Sequence, residues 1–435
     1  MIFKEALRSL KNSFSKAVFF ALTFYLTTTL LFVYFNMAAA ATAGKPETYV
    51  NAQNLADLTQ MLEKGNMANL MMVFVVVMCV IDLIFCNDFF VKNKAKELGV
   101  RLICGATYIQ LAMYLLIQTV VLMLIAIPLG ILSGYGLIFL LNRLLVSYGE
   151  ELLITVTSYA VVEFITVEFI VIFWTTLLNC GFAYKSGAVL LSGGNIGAMK
   201  DKSTYGLGSK KGFRILMTAA GIVFALLPLY TFFRGSGSLA VSTVIGCVGL
   251  DRIITELFLP FLTRLNRKKG IASTERTASN GFLRRDILFS KITVYLLICD
   301  LLVILTMLFA RENSRLEYLL ILVSYISVSI LQALTVMFRL ETDLTGREKQ
   351  YRILSQIGTS GKSRSRIMHT EISKYYLFVC FLLVLYGGTA LYSLYSSNQA
   401  DAGQILFLSL AALVPLLITD GITRLFYSRI VSSAE

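Results

Sequence analysis

Long apolar runs, separated by short clusters of Lys, Arg, Gly and Ser, dominate this chain. Ten of them reach the roughly 20 residues that a helix needs to cross about 30 Å of hydrocarbon. They fall near 17–41, 67–91, 108–138, 160–184, 213–233, 238–262, 292–310, 318–338, 375–395 and 404–423. None alternates apolar and polar residues with the period of a strand, so the pattern predicts membrane helices and not a barrel. The sixth run is interrupted by Asp251, Arg252 and Glu256.

Composition agrees with the pattern. AVILMFWYC make up 57% of the 435 residues and DEKR 15%, the balance of a polytopic membrane protein. Lys and Arg then orient it. With the N-terminus inside, only Lys45, Lys64, Arg143, Arg234, Arg311 and Arg315 of the 39 basic residues face outward, and Arg252 lies within a span. Ten spans return the chain to the same side, so both termini are expected to be cytoplasmic. The net charge of +13 needs no nucleic acid to explain it, because no folded domain gathers basic residues beside stacking aromatics. Basic residues ahead of the first run, with Ala38 to Ala41 near its end, imitate a secretory leader. The run exceeds the about 7–15 residues of such a leader, and an uncleaved first helix is expected. The seven cysteines fall in spans or on the inner side and suggest neither a disulfide framework nor a CxxC site.

Parts of the chain occur twice. Phe14-Ser15-Lys16 leads into the first run and Phe289-Ser290-Lys291 into the seventh, each after a basic amphipathic segment that reads as an interfacial elbow helix. KNKAKELGVRLICGAT at 92–107 and TGREKQYRILSQIGTS at 345–360 are basic connectors between apolar runs. Gly105 and Gly358 mark them at an offset of 253, which also relates Gln118 to Glu371 and Gly134 to Gly387. The predicted order begins with an elbow at 1–16, a span at 17–41, a three-span block at 67–184 and a cytoplasmic linker at 185–212. A two-span insert at 213–262, a basic linker with a second elbow at 263–291 and a span at 292–310 follow. A second three-span block at 318–423 and a cytoplasmic tail at 424–435 complete it. Two connectors on one side suit two copies of a partner about a pseudo-twofold axis along the membrane normal.

Candidate chemistry is sparse. GTSGKS at 358–363 imitates a phosphate-binding loop, but Gln356 stands where that pattern wants glycine and no buried strand precedes it. ATP and Mg are therefore expected on another polypeptide, with no cofactor, metal or catalytic residue on this chain. The lone histidine, His369, reads as an interfacial or packing residue, and no base stands at motif spacing from a nucleophile. Charge at bilayer depth remains. It costs about 2.5–3.5 kcal/mol per residue on insertion scales, so such groups face protein or water. They are Asp82, Glu163, Glu168, Asp251, Arg252, Glu256, Asp300 and Asp420. Glu163 and Asp420 can reach an interface, and Arg252 and Glu256, one turn apart, can pair. Asp82 and Asp300 are candidates for packing, gating, ligand binding or proton coupling.

ELGVRLICGAT from Glu97 to Thr107, followed by an apolar helix with Gln118 and a Gly-rich end (Gly130, Gly134, Gly136), resembles the signature of FtsX-like permeases. These are the membrane subunits of mechanotransmitting ABC transporters. In the second, degenerate copy, Ile357-Gly358-Thr359-Ser360 stands for Cys104-Gly105-Ala106-Thr107, and Glu371 falls where that family often carries an acid. The order of spans is most similar to that of bacitracin- and lantibiotic-resistance permeases, over essentially the whole chain. The resemblance implies an all-α polytopic protein of the bacterial cytoplasmic membrane with two FtsX-like repeats. It also implies one permease per cytosolic ABC ATPase dimer, and a role in antimicrobial-peptide resistance or export. Each connector would be a coupling helix seated on an ATPase subunit. Leu98, Val100, Leu102 and Ile103 would anchor the first, beside Gly99. Lys94, Lys96, Glu97 and Arg101 would pair with ATPase charges, and Gly105 would allow a sharp exit into the next span. Arg352, Ile357 and Gly358 would serve the second. Such relatives carry a large extracellular domain in one outer loop; here the corresponding loops are only 311–317 and 42–66, so no peptide grip is expected from this chain. Two rival readings remain: a scaffold passing motion to a histidine kinase or cell-wall hydrolase, and an ion-coupled secondary transporter using Asp82 or Asp300. Against the latter, the second and eighth spans lack Gly/Pro breaks.

Overall fold

The computed structural model describes residues 2–12, 14–43, 67–147, 154–191, 211–234, 239–269, 274–309, 315–345 and 348–432. Among them the chain is helical throughout its regular structure and forms no strand. The helices are α1 (Ile2–Asn12), α2 (Phe14–Ala43), α3 (Met67–Ile103), α4 (Tyr108–Ser147), α5 (Ser158–Leu191), α6 (Lys211–Arg234) and α7 (Leu239–Ile253). A π turn (Ile254–Phe258) leads to α8 (Leu259–Lys269), α9 (Thr274–Leu308), α10 (Arg315–Thr345), α11 (Glu348–Gln356), α12 (Gly361–Ser396) and α13 (Ala402–Ser432). The protein is thus an all-α polytopic membrane protein.

Among the described residues eight helices, not ten, are long and apolar enough to cross a membrane: α2, α4, α5, α6, α9, α10, α12 and α13. The second expected span lies on the 37-residue α3, whose first side chains are outside the described set. The sixth is divided by the π turn into helices of 15 and 11 residues. Pro260 gives the reason: it has no N–H to return to the turn before it, and Leu259 instead donates to the Ile254 carbonyl, five residues back. A second departure concerns the elbows. α1 and α2 are separate, but α9 runs unbroken from Thr274, because Leu283, Ile287, Ser290, Val294, Leu297 and Leu301 form one buried stripe across the expected boundary. Most of the expected outer loop 42–66 and of the linker 185–212 lies outside the described residues.

The chain divides into two compact units. The first holds α1 to α5 and the beginning of α10, and α2 is its axis. Residues 30–35 of α2 are buried on every side, which fits a helix that is apolar all round. α4 approaches it closely because a Cβ on Gly130 would stand 2.8 Å from Thr28 Cβ, and one on Gly134 2.7 Å from Phe32 Cδ1. Phe32 meets the edge of Phe164 of α5 at 5.5 Å. Asn142 closes the connection to α5 with both ends of its amide, donating to the Ile154 carbonyl (2.9 Å) and accepting from its N–H (2.8 Å).

The second unit holds α6 to α9, the rest of α10, and α11 to α13. α6 and α7 form its tightest crossing: a Cβ on Gly249 would lie 2.4 Å from the Ala225 backbone nitrogen. α12 packs on α9, α13 and α6. Its buried tyrosines cap neighbouring backbones and hydroxyls, Tyr386 donating to the Ala225 carbonyl (2.9 Å) and Tyr376 bonding Thr423 (2.9 Å).

Candidate functional site

The two connectors fold into the same turn. In the first, Gly105 has φ +90°, its N–H donates to the Leu102 carbonyl (3.0 Å), and Ala106 donates to the Arg101 carbonyl (3.0 Å). In the second, Gly358 has φ +92°, donates to Ser355 (3.0 Å), and Thr359 donates to Leu354 (3.1 Å). Every partner is displaced by 253 residues. This is a Schellman ending, in which a left-handed glycine lets two otherwise orphaned carbonyls be satisfied as the helix stops. The next helix starts alike in both copies: Gln110 N–H donates to Thr107 Oγ1 (3.4 Å) and Ser363 N–H to Ser360 Oγ (3.2 Å). The GTSGKS segment is therefore a helix stop followed by a helix start, without a strand.

Side chains around the turns correspond as well. Leu98 and Tyr351, at the same offset, are the buried anchors; Tyr351 lies between Phe282 and Tyr427 and donates to Glu371 (3.3 Å). Gly99 is buried beside Leu98, and Leu102 is half-buried. Val100 (62% exposed) and Ile103 (80%) point away from the first unit, as Ile353 (52%) and Ile357 (74%) do from the second. Cys104 is exposed next to the first glycine. Each connector therefore presents an apolar tip.

Lys94, Glu97 and Arg101, expected to pair with a partner's charges, are bonded within the first unit. Glu97 is the hub of a network joining α1, α3 and α4. It accepts from Ser9 (2.8 Å), Lys94 (3.3 Å), Arg101 (3.4 Å) and Tyr114. Lys94 also donates to Ser9 (2.7 Å) and is buried. Arg101 pairs with Glu5 (2.7 Å) and lies 4.1 Å over the Tyr114 ring. Burial, the largest influence, would raise the Glu97 carboxyl, but the hydrogen bonds of Tyr114 and Ser9 and the charge of Lys94 hold it below its ordinary value. Burial lowers Lys94, and Glu97 offsets part of that. A long, basic α1 segment alone does not disclose this: Glu5 and Ser9 are distant in sequence, and their one signal is a four-residue spacing on the amphipathic α1. At the second connector, Glu275 of α9 accepts from Ser363 and Arg366 (3.5 Å) of α12. The side chains of Lys96 and Arg352 lie outside the described set.

The intramembrane charges are dispersed. Asp251 pairs with Lys291 (2.6 Å) and receives the Tyr295 hydroxyl at 3.5 Å. Arg252 is exposed, its Cβ against Gly221, and Glu256 lies in the π turn. Asp420 forms a two-point pair with Arg424 (2.6 and 3.0 Å). Asp300 accepts the Gln332 amide; Asp82 is fully buried in the first unit. His369 is exposed on α12. Among the described residues no group of three His, Cys, Asp or Glu side chains is placed to hold a metal ion. No protein-family model matches this sequence, and no curated protein is significantly similar to it.

Proposed function

We propose that this chain is the membrane subunit of an ATP-driven machine, and that its two connectors dock on a cytosolic ATPase dimer, one permease to two ATPases. The observation that carries the reading is the pair of equivalent connectors: the same left-handed glycine, the same cap and the same exposed apolar tip, each at the foot of long membrane helices. Two such tips on one polypeptide suit a partner present in two copies. The basic residues of the connectors favour a cytoplasmic side for them and for both termini, and the resemblance favours a bacterial membrane. The resemblance of Glu97 to Thr107 to FtsX-like permeases points to the same apparatus and, through it, to antimicrobial-peptide resistance or export. A subunit that passes force to a histidine kinase or wall hydrolase would use the same tips.

The test is co-purification with a cytosolic ABC ATPase, sought first in the neighbouring reading frames. Ile103→Glu and Ile357→Glu place a charge on each apolar tip and should each weaken capture; together they should abolish it. Glu97→Gln disturbs only the internal network and should leave capture intact while lowering stimulation of ATP turnover. Undiminished capture by the double tip variant would rule the tips out as the docking surface.

A further inference from the structure

We propose that Glu168 is a proton-binding site in the membrane interior of the first unit, occupied whenever α5 is packed as it is here. α5 buries one stripe, Ala160, Phe164, Glu168, Val171, Thr175 and Asn179, while Ile165, Phe169 and Phe173 are exposed on its other side. Glu168 is the one ionisable group of that stripe. It is 5% exposed, neither of its carboxyl oxygens makes a hydrogen bond of good geometry, and the one donor that approaches it is the Thr28 hydroxyl of α2. It lies about one turn from the middle of the apolar stretch Ser158–Tyr184.

Contacts on either side fix what surrounds it. Phe164 meets Phe32 one turn outward, and Asn179 accepts from Asn87 (2.8 Å) three turns inward. Between these levels α2 offers the Thr28 hydroxyl, a single neutral donor, and α4 offers Gly130 against Thr28. Among the described residues the titratable groups of the packed elements nearest this level in sequence are Tyr25 and Tyr34 of α2, Cys79, Asp82, Cys86 and Asp88 of α3, and Tyr135 of α4. None is a cation. Arg143 of α4 is at the outer end, and Lys94 of α3 belongs to the connector network. An ionised carboxylate so placed, with one hydroxyl as donor and no described cation beside it, bears a desolvation cost that the group escapes by taking up a proton. Asp300 and Asp251 differ in having a donor amide and a lysine.

The decisive measurement is infrared difference spectroscopy of the full chain in lipid nanodiscs at neutral pH, wild type against Glu168→Gln, a neutral replacement of nearly the same shape. The expected result is loss of a protonated-carboxyl C=O band in the variant; loss of a carboxylate band instead would overturn the proposal. A second reading comes from dicyclohexylcarbodiimide, which reacts with protonated acids in apolar surroundings. The acid proton passes to a reagent nitrogen and the carboxyl oxygen adds to the central carbon. The O-acylisourea then rearranges to an N-acylurea, with no leaving group. An adduct on the Glu168 peptide, absent from Glu168→Gln, supports the site. Equal labelling of Glu168 by a charged, water-soluble carbodiimide would show a hydrated carboxyl and sink it.

Discussion

Replacing the connector glycines isolates backbone strain from packing. At Gly105 (φ +90°) and Gly358 (φ +92°) nothing lies within 4 Å of where a Cβ would stand, so a new side chain meets only the penalty of the left-handed region. That penalty is roughly 1–2 kcal/mol for an L-residue, greater for a β-branched one, and smaller for Asn, whose side chain bonds locally. If the turn opens to relieve it, its two closing hydrogen bonds are lost, at about 0.5–1.5 kcal/mol each. The degenerate second motif suggests a milder effect at Gly358, but the matching angles and hydrogen bonds predict equal ones. Thermal unfolding in nanodiscs, followed by circular dichroism, should rank Val below Ala below Asn at both positions. The midpoint should fall by about 2 °C or less per kcal/mol for so long a chain. The Gly105→Ala, Gly358→Ala double variant should show the sum. Tolerance of valine at 358 but not at 105, or Asn no better than Val, would refute the shared left-handed turn.

Other consequences are equally direct. The Glu97 carboxyl titrates below its unfolded value of about 4.3. Its contribution is therefore complete above that value and is lost as pH falls through the folded one, so acidification should loosen α1. Limited proteolysis against pH would show α1 released in acid, and Glu97→Gln should flatten that dependence. Gly249→Ala forces a Cβ to within 2.4 Å of α6 backbone and should cost about 1–3 kcal/mol, whereas Gly387→Ala meets open space and should be neutral or slightly stabilising in thermal unfolding. For the Lys291–Asp251 pair, Asp251→Asn and Lys291→Met should each destabilise the second unit. A double-mutant cycle should return a coupling of about 0.5–3 kcal/mol, and none would mean the contact is incidental.

What the sequence disclosed follows from how local each device is. The apolar runs announce membrane helices, because hydrocarbon thickness sets their length. Gly105 and Gly358 announce the turns, because a Schellman ending is written in consecutive residues. The π turn was half legible: the charges near Asp251 marked an interruption, while Pro260, which causes it, passed as part of a span. Continuity of α9 was missed because the basic residues Arg284 and Arg285 suggested an interfacial break, although Leu283, Ile287, Ser290 and Val294 continue one buried face through it. The Glu97 network was illegible, since Ser9 and Glu97 are 88 residues apart. Glu168 could be named as an intramembrane acid, but that packing leaves it only the Thr28 hydroxyl and no described cation is a property of the fold alone.

If the proposed docking holds, the inward pairing of Lys94, Glu97 and Arg101 changes how coupling at the first connector would work. Lys94, Glu97 and Arg101 bond α1 and α4, so in the proposed docking they would offer a partner little attraction, and Val100 and Ile103 would supply it. A force applied to this tip is carried by α3, the same helix that bears Glu97. Through Glu97 it reaches Ser9 of α1 and Tyr114 of α4 without crossing a flexible link. Each exposed or half-exposed ion pair contributes under about 1 kcal/mol by itself. Their arrangement matters more than their sum, because one carboxylate ties three helices, and any displacement of α3 must either move α1 and α4 with it or break several hydrogen bonds together. Under the proposed function, recognition and transmission would fall to different residues of one segment, the apolar tip to meet a partner and the half-buried Glu97 carboxylate to pass its motion on.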